Sequence, residues 1–179
     1  MSPKLLCRAA AAALLAAAVV AAPAHAAAGK PAAKPRYQVQ TETGKAPLTF
    51  KNKATFEAYV RDTMKLDLSK APRKATKPKA KATWNGDYAT FYQHYDGYGW
   101  AFNINSGYGE SDLYRVGCFL WFCSNYNDAI SSVYTHGVPA VLYSETGYRG
   151  SVFVVGANVK TNIPYWFNDY ASSAYVYWS

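Results

Sequence analysis

NDAISS, residues 127–132, returns forty-one residues later as NDYASS, residues 168–173. Without a gap, that offset aligns residues 102–134 with 143–175. Phe102 then meets Tyr143, Gly109 meets Gly150, Tyr126 meets Phe167 and Tyr134 meets Tyr175. Asn127 and Asp128 meet Asn168 and Asp169, and Ser131 and Ser132 meet Ser172 and Ser173. The shared residues are those with strong backbone or polar demands, while the apolar filling between them varies, as core packing allows when volume is kept. A glycine separated from an aromatic by six residues predicts a folded hairpin needing positive φ or close backbone approach.

The repeat sits in a stretch of distinct composition. Residues 84–179 hold twenty-five of the twenty-nine aromatics and all five tryptophans, but one lysine. Short β-favouring runs such as VPAVLY, SVFVV and SAYVYW alternate with Gly, Asn and Ser clusters. This predicts an all-β sandwich or barrel, and some ninety-six residues suffice for one such domain.

An aromatic, six residues, a glycine, and Asn/Asp-Asn/Asp-x-x-Ser/Thr-Ser after seventeen intervening residues resembles the βγ-crystallin Greek-key motif, in particular its microbial calcium-binding form. The pattern is carried by Phe102, Gly109, Asn127, Asp128, Ser131 and Ser132, and by Tyr143, Gly150, Asn168, Asp169, Ser172 and Ser173. The chain is also similar in size, leader and aromatic-rich motifs to the secreted actinobacterial metalloproteinase inhibitors of this fold. The resemblance implies a βγ-crystallin-like sandwich of two Greek keys, about 98–135 and 138–179. It implies that Ser132 and Ser173 bond back to the folded hairpins. It also implies a non-enzymatic protein that acts on an extracellular partner, a metalloproteinase as the specific expectation. A structural or cell-surface calcium-binding protein, or a killer-toxin-like crystallin, is the alternative.

The hexapeptides have a chemistry of their own. Calcium takes six to eight oxygen ligands from carboxylates, carbonyls, hydroxyls and water. Asp128 and Ser131 lie three apart, as do Asp169 and Ser172, so a tight turn can aim both oxygens at one ion. Asn127 and Asn168 add amide oxygens. Each loop supplies too few ligands alone, so the motifs must share sites, with Glu145 as a further contributor. One carboxylate per hexapeptide predicts weak binding, roughly 10⁻⁵ to 10⁻³ M, as in other extracellular modules. The alternative is that Asn, Asp and Ser bond local backbone and do nothing more.

The amino-terminal half reads differently. Lys4 and Arg8 precede an apolar run, Ala9 to Ala22, which Pro23 and Ala24-His25-Ala26 close. This predicts a secretory signal, residues 1–26, cleaved near Ala26, and hence an extracellular protein. Residues 27–83 hold fourteen Lys and Arg against four Asp and Glu, a balance of +10, whereas residues 84–179 balance at −4. The segment reads as a mostly disordered linker or pro-region. One helix is expected over about 53–66, with Phe56, Tyr59, Val60 and Met64 on one face and Asn52 as its cap; it either docks on the domain or belongs to a pro-region. KAPRKATKPKAKA, residues 70–82, could contact polyanions on a cell surface; nucleic acid is not expected outside the cell.

Two cysteines outside the signal, Cys118 and Cys123, flank FLWF. A two-residue turn at Leu120-Trp121 would set them opposite each other at disulfide distance, which export favours; two buried free thiols is the other reading. Neither a Gly-x-Ser-x-Gly elbow nor a His-Glu-x-x-His or Gly-Lys-Ser/Thr motif occurs, which argues against an enzyme. His94 near Asp96 lacks a nucleophile, and His136 before Gly137 reads as a solvated loop residue. Tyr88, Tyr92, Tyr95 and Tyr98 suggest an aromatic protein-binding patch near residues 88–108.

Overall fold

The computed structural model describes residues 36–71, 86–116 and 125–178, and the paired backbones of 118–119 and 122–123. The expected signal, residues 72–83 of the basic segment and the Leu120-Trp121 turn lie outside the described residues. The strands are β1 (Tyr37–Gln40), β2 (Leu48–Phe50), β3 (Tyr88–Tyr92), β4 (Ala101–Asn105), β5 (Gly109–Glu110) and β6 (Cys118–Phe119). They continue with β7 (Phe122–Cys123), β8 (Ser132–His136), β9 (Ala140–Glu145), β10 (Arg149–Val155), β11 (Lys160–Asn162) and β12 (Ser173–Val176). Among the described residues one α-helix, α1 (Lys53–Asp62), follows β2.

Two sheets face each other. One runs β2-β1-β10-β9-β12-β5 and the other β11-β8-β3-β4. The first Greek key is β3, β4, β5 and β8; the second is β9, β10, β11 and β12. Each lends its third strand to the other, because β5 pairs with β12 and β11 pairs with β8. This is the βγ-crystallin-like sandwich. Its first key opens at Tyr88, ten residues before the boundary expected near 98. Period-two alternation fills the space between the sheets with Ala89, Phe91, Ile104, Val133, Leu142, Phe153, Val155, Ala174 and Val176. Phe91 and Phe153 are fully buried, each worth about 1.5–3 kcal/mol relative to exposure.

The described part of the basic segment is folded, which bears out the helix and corrects the expectation of disorder on either side of it, at residues 36–52 and 67–71. Strand β1 adds to β10 in parallel, Tyr37 opposite Val152 and Gln40 opposite Val155. Strand β2 pairs antiparallel on its far side. The Oδ1 of Asn52 accepts from the Thr55 N–H at 2.9 Å and caps α1, which lays Phe56 and Val60 onto the outer face of the first sheet. There they join Val39, Leu66, Val141, Tyr143, Val152, Val154, Tyr175 and Tyr177 in a second apolar cluster. The helix stops at Asp62, short of the expected 66, where Lys65 turns to φ 58° and Leu66 N–H reaches back to the Val60 carbonyl. Mean composition hid this arm. A few apolar residues suffice when the sandwich supplies the surface they pack on, since tertiary packing stabilises most helices.

Beneath the arm the hydroxyls of Tyr143, Tyr148 and Tyr177 are buried without a well-aligned hydrogen bond. Burial pushes the Tyr143 hydroxyl up to about 12, and raises Tyr148 and Tyr177 as well. An unfolded tyrosine titrates near pH ~10, so the folded chain holds these protons more tightly. Their stabilising contribution is full below pH ~10 and is lost as pH climbs through the folded value. The thermal midpoint should hold up to pH ~10 and fall steeply towards 12, with tyrosinate absorbance rising together with unfolding. Complete phenolate titration in a still-folded chain would contradict this.

Candidate metal centre

The two hairpins that frame the centre are fastened in the same way. Buried at the start of β12, the Ser173 hydroxyl donates to the Glu145 carbonyl at 2.6 Å and accepts from Tyr148 N–H at 3.0 Å. The Ser132 hydroxyl donates to the His94 carbonyl at 2.6 Å and accepts from Gly97 N–H at 3.1 Å. One residue earlier the backbones repeat the match: Ser172 N–H reaches the Tyr143 carbonyl and Ser131 N–H the Tyr92 carbonyl, both at 2.9 Å. These bonds equate Tyr92 with Tyr143, His94 with Glu145 and Gly97 with Tyr148, an offset of fifty-one. Gly99 equates with Gly150, at φ 82° and 84°. A Cβ on Gly99 would lie 2.7 Å from the His94 ring, so the fold-over admits no side chain there.

Phe102 and Gly109 are therefore not the hairpin aromatic and glycine of the first motif. Phe102 lies on β4, opposite Phe91, and Gly109 on β5, opposite Tyr175. Gly109 is needed for another reason: a Cβ there would lie 2.5 Å from the Tyr175 ring. The forty-one-residue offset holds for the polar hexapeptides and fails for the hairpins. Between β5 and β8 the first motif carries about ten extra residues, among them β6 and β7. An ungapped comparison cannot pass through such an insertion. The true signal stood in the sequence as Tyr92-x6-Gly99, within YQHYDGYGW.

The hexapeptide residues come together across the motifs, not within them. Ser131 Oγ donates to Asp169 Oδ1 at 3.2 Å. The Asp169 N–H points to the Ile130 carbonyl at 3.4 Å, and the Asp128 N–H to the Ala171 carbonyl at 3.0 Å. Each aspartate is thus delivered next to the serine of the other loop, Asp169 to Ser131 and Asp128 to the Ser172 side. Both aspartates adopt φ 53°, a left-handed conformation that Asp and Asn tolerate better than most residues. Ser131, expected to share an ion with Asp128 of its own loop, bonds Asp169 of the other loop. Glu145 follows two residues after Tyr143, on the hairpin that receives Ser172; its counterpart beside Ser131 is His94. Asn127 lies in the first loop, its N–H accepted by Asn125 Oδ1 at 2.9 Å.

Calcium can be tested against these residues. Asn168 Nδ2 donates to Asp169 Oδ2 at 3.0 Å, leaving the buried Asn168 Oδ1 without a partner. A stranded amide oxygen beside a carboxylate suits a hard cation that takes oxygen ligands. Among the described residues no cluster of three or more His, Cys, Asp or Glu is present. Any site here combines one or two carboxylates with neutral oxygens. The donor set fits a weakly held calcium ion and not a transition metal that requires thiolate or imidazole.

The remaining sequence candidates resolve as follows. His94 serves through its carbonyl at the first hairpin. His136 is not a loop residue: it ends β8 and stacks on Tyr88, ring centres 4.3 Å apart. Tyr92 packs on Tyr134. On the first hairpin Tyr98 and Trp100 are 71% and 69% exposed. The backbones of β6 and β7 place Cys118 directly opposite Cys123.

No family model and no curated protein matches this sequence. Among solved structures the chain is similar to a βγ-crystallin domain from Flavobacterium johnsoniae, at 27% identity and TM-score 0.40, covering 49% of this chain and 91% of that one. It is similar to the βγ-crystallin of Ciona intestinalis at 17% identity and TM-score 0.40, covering 50% and 98%. It is also similar to the N-terminal domain of protein S at 26% identity and TM-score 0.39, covering 50% and 93%.

Ser132→Ala and Ser173→Ala should each destabilise the chain by about 1–3 kcal/mol, because each strands a buried carbonyl and an N–H. Urea unfolding measures this, and a loss below about 0.5 kcal/mol would remove the serines from the role assigned to them.

Proposed function

We propose that this chain is a secreted, non-enzymatic, calcium-stabilised protein-binding domain that inhibits an extracellular metalloproteinase. The observation that carries the reading is the asymmetry between two otherwise matched Greek keys. Only the first holds the extra hairpin of β6 and β7, and its paired strands set Cys118 against Cys123. A disulfide there would cross-link the two strands, and a segment held in one conformation loses little entropy on entering a cleft. The segment is also rich in apolar and aromatic residue types, CFLWFC, and such residues dominate binding interfaces.

Calcium, when bound, would clamp the two hexapeptide loops to each other. Asp169, Ser131 and Asn168 would hold one ion, and Asp128, Ser172, Asn127 and the Glu145 hairpin the other. The second set has two carboxylates where the first has one, so it is the tighter of the two. The exposed pair Tyr98 and Trp100 favours a second reading, in which the domain is a calcium-dependent surface protein that docks through this aromatic patch without inhibiting a protease. Retention on an anionic cell surface through residues 70–82 is compatible with either.

The purified protein should block a thermolysin-type protease stoichiometrically, resist cleavage by it, and gain thermal stability in millimolar calcium. Cys118→Ser with Cys123→Ser should weaken inhibition at least about tenfold and change the thermal midpoint little, because so short a loop adds little chain-entropy stabilisation. Asp128→Ala should reduce the calcium response more than Asp169→Ala, read by isothermal titration. No inhibition at stoichiometric protein rules out the inhibitor, and no heat or thermal shift at millimolar calcium rules out the metal.

A further inference from the structure

The two Greek keys provide an internal control for the role of the arm, residues 36–71. At the offset of fifty-one, β10 corresponds to β4 and β9 to β3. On the inner face the equivalent residues are alike: Phe153 matches Phe102, and Val155 matches Ile104. On the outer face two tyrosines agree, Tyr143 with Tyr92 and Tyr175 with Tyr134, and the positions around them do not. Val152 and Val154 of β10 stand where β4 has Ala101 and Asn103, and Val141 of β9 stands where β3 has Thr90. Tyr177 stands where the end of β8 has His136. Ala101 and Asn103 are exposed, while Val141, Val152 and Val154 are buried beneath the arm. One motif thus carries a more polar outer face, and among the described residues no strand pairs with the open side of its edge strand β4. The other carries an apolar outer face and an edge strand, β10, whose open side is filled by β1.

The arm is shaped to match that face. Val39, Phe56, Val60 and Leu66 enter the outer cluster. Polar bonds fix its register along the rim: Trp166 Nε1 donates to Gln38 Oε1 at 3.0 Å, Lys160 N–H to Thr43 Oγ1 at 2.9 Å, and Gly156 N–H to the Gln40 carbonyl at 2.8 Å. The Arg36 guanidinium lies 5.6 Å from the Trp166 ring centre. A leaving pro-region would abandon three valines and a row of tyrosines to water, and would open a flat apolar edge to other chains.

We propose that residues 36–71 are a retained peptide ligand of the sandwich, a strand followed by an amphipathic helix, and that they stay bound when their covalent connection through residues 72–85 is cut. The β10 edge and the Val141, Val152, Val154 and Tyr177 face form the acceptor site, and the arm of the same chain is its occupant. This stands whether or not the domain inhibits a protease.

The test uses the full chain with a specific endoprotease site introduced near residue 78. After cutting, size-exclusion chromatography with mass spectrometry should find the arm and the body in one peak, with a thermal midpoint within a few degrees of the uncut protein. A labelled synthetic peptide of residues 36–71 should exchange into the cut protein and not into the intact chain. Phe56→Ala with Val60→Ala, placed on the arm so that the body is unchanged, should release the arm on cutting or weaken its retention at least tenfold. Separation of the wild-type arm from the body, whether the body then stays soluble or aggregates, overturns the proposal. Full retention of the doubly substituted arm overturns the assigned contact.

Discussion

Two serine hydroxyls set the geometry of the candidate site. Ser132 and Ser173 each donate to one carbonyl and accept one N–H within a folded hairpin, so each exhausts the bonding of a tight turn that β-ladders do not reach. A buried backbone group without a partner is destabilising by about 1–3 kcal/mol, and a hairpin folded over its own strand leaves two. Once the hydroxyl closes that turn, the preceding serine follows by position, its N–H on the tyrosine carbonyl. The aspartate three residues earlier then falls beside the other motif. The exchange of Asp169 to Ser131 and of Asp128 to the Ser172 side is thus the outcome of two local closures brought together by the crossing of β5 and β11.

What could be read from the sequence follows the same division. NDAISS and NDYASS were legible because their demands are local: left-handed aspartates, a hydroxyl at a strand start, amides in turns. The sandwich class was legible from alternation and aromatic content. The hairpin of the first motif was misplaced at Phe102 and Gly109 because about ten inserted residues separate it from its hexapeptide, and both positions happen to satisfy an aromatic and a glycine. Gly109 is required by Tyr175 on a neighbouring strand, so its conservation of type across the repeat was real but its cause was different. Within the arm the helix and its buried Phe56 and Val60 were legible from periodicity, whereas β1 and β2 were not, being three or four residues each among turn and charged residues. Only the partner surface, over a hundred residues away in sequence, tells which of them count.

Differences between the halves carry as much information as their likeness. Inner-face positions agree between the motifs, as one shared core requires. On the outer face Tyr143 and Tyr175 keep their counterparts Tyr92 and Tyr134, while the positions around them diverge to Val141, Val152, Val154 and Tyr177 under the arm and to threonine, alanine, asparagine and histidine elsewhere. The insertion with β6 and β7 has no counterpart in the second motif. A duplicated architecture has thus been specialised twice, once by a cover on one sheet and once by an inserted pair of strands, with the joint between the keys left intact.

The parallel ladder that seats Tyr37 opposite Val152 joins segments 115 residues apart. Such a contact has nothing to pair with until β9 and β10 exist, and long-range pairing of this kind is intrinsically slow. The arm thus precedes the sandwich in the chain, yet it has no place of its own until the β10 edge is formed. What it adds is a third layer on the first sheet, laid over an edge and a row of valines that would otherwise face water.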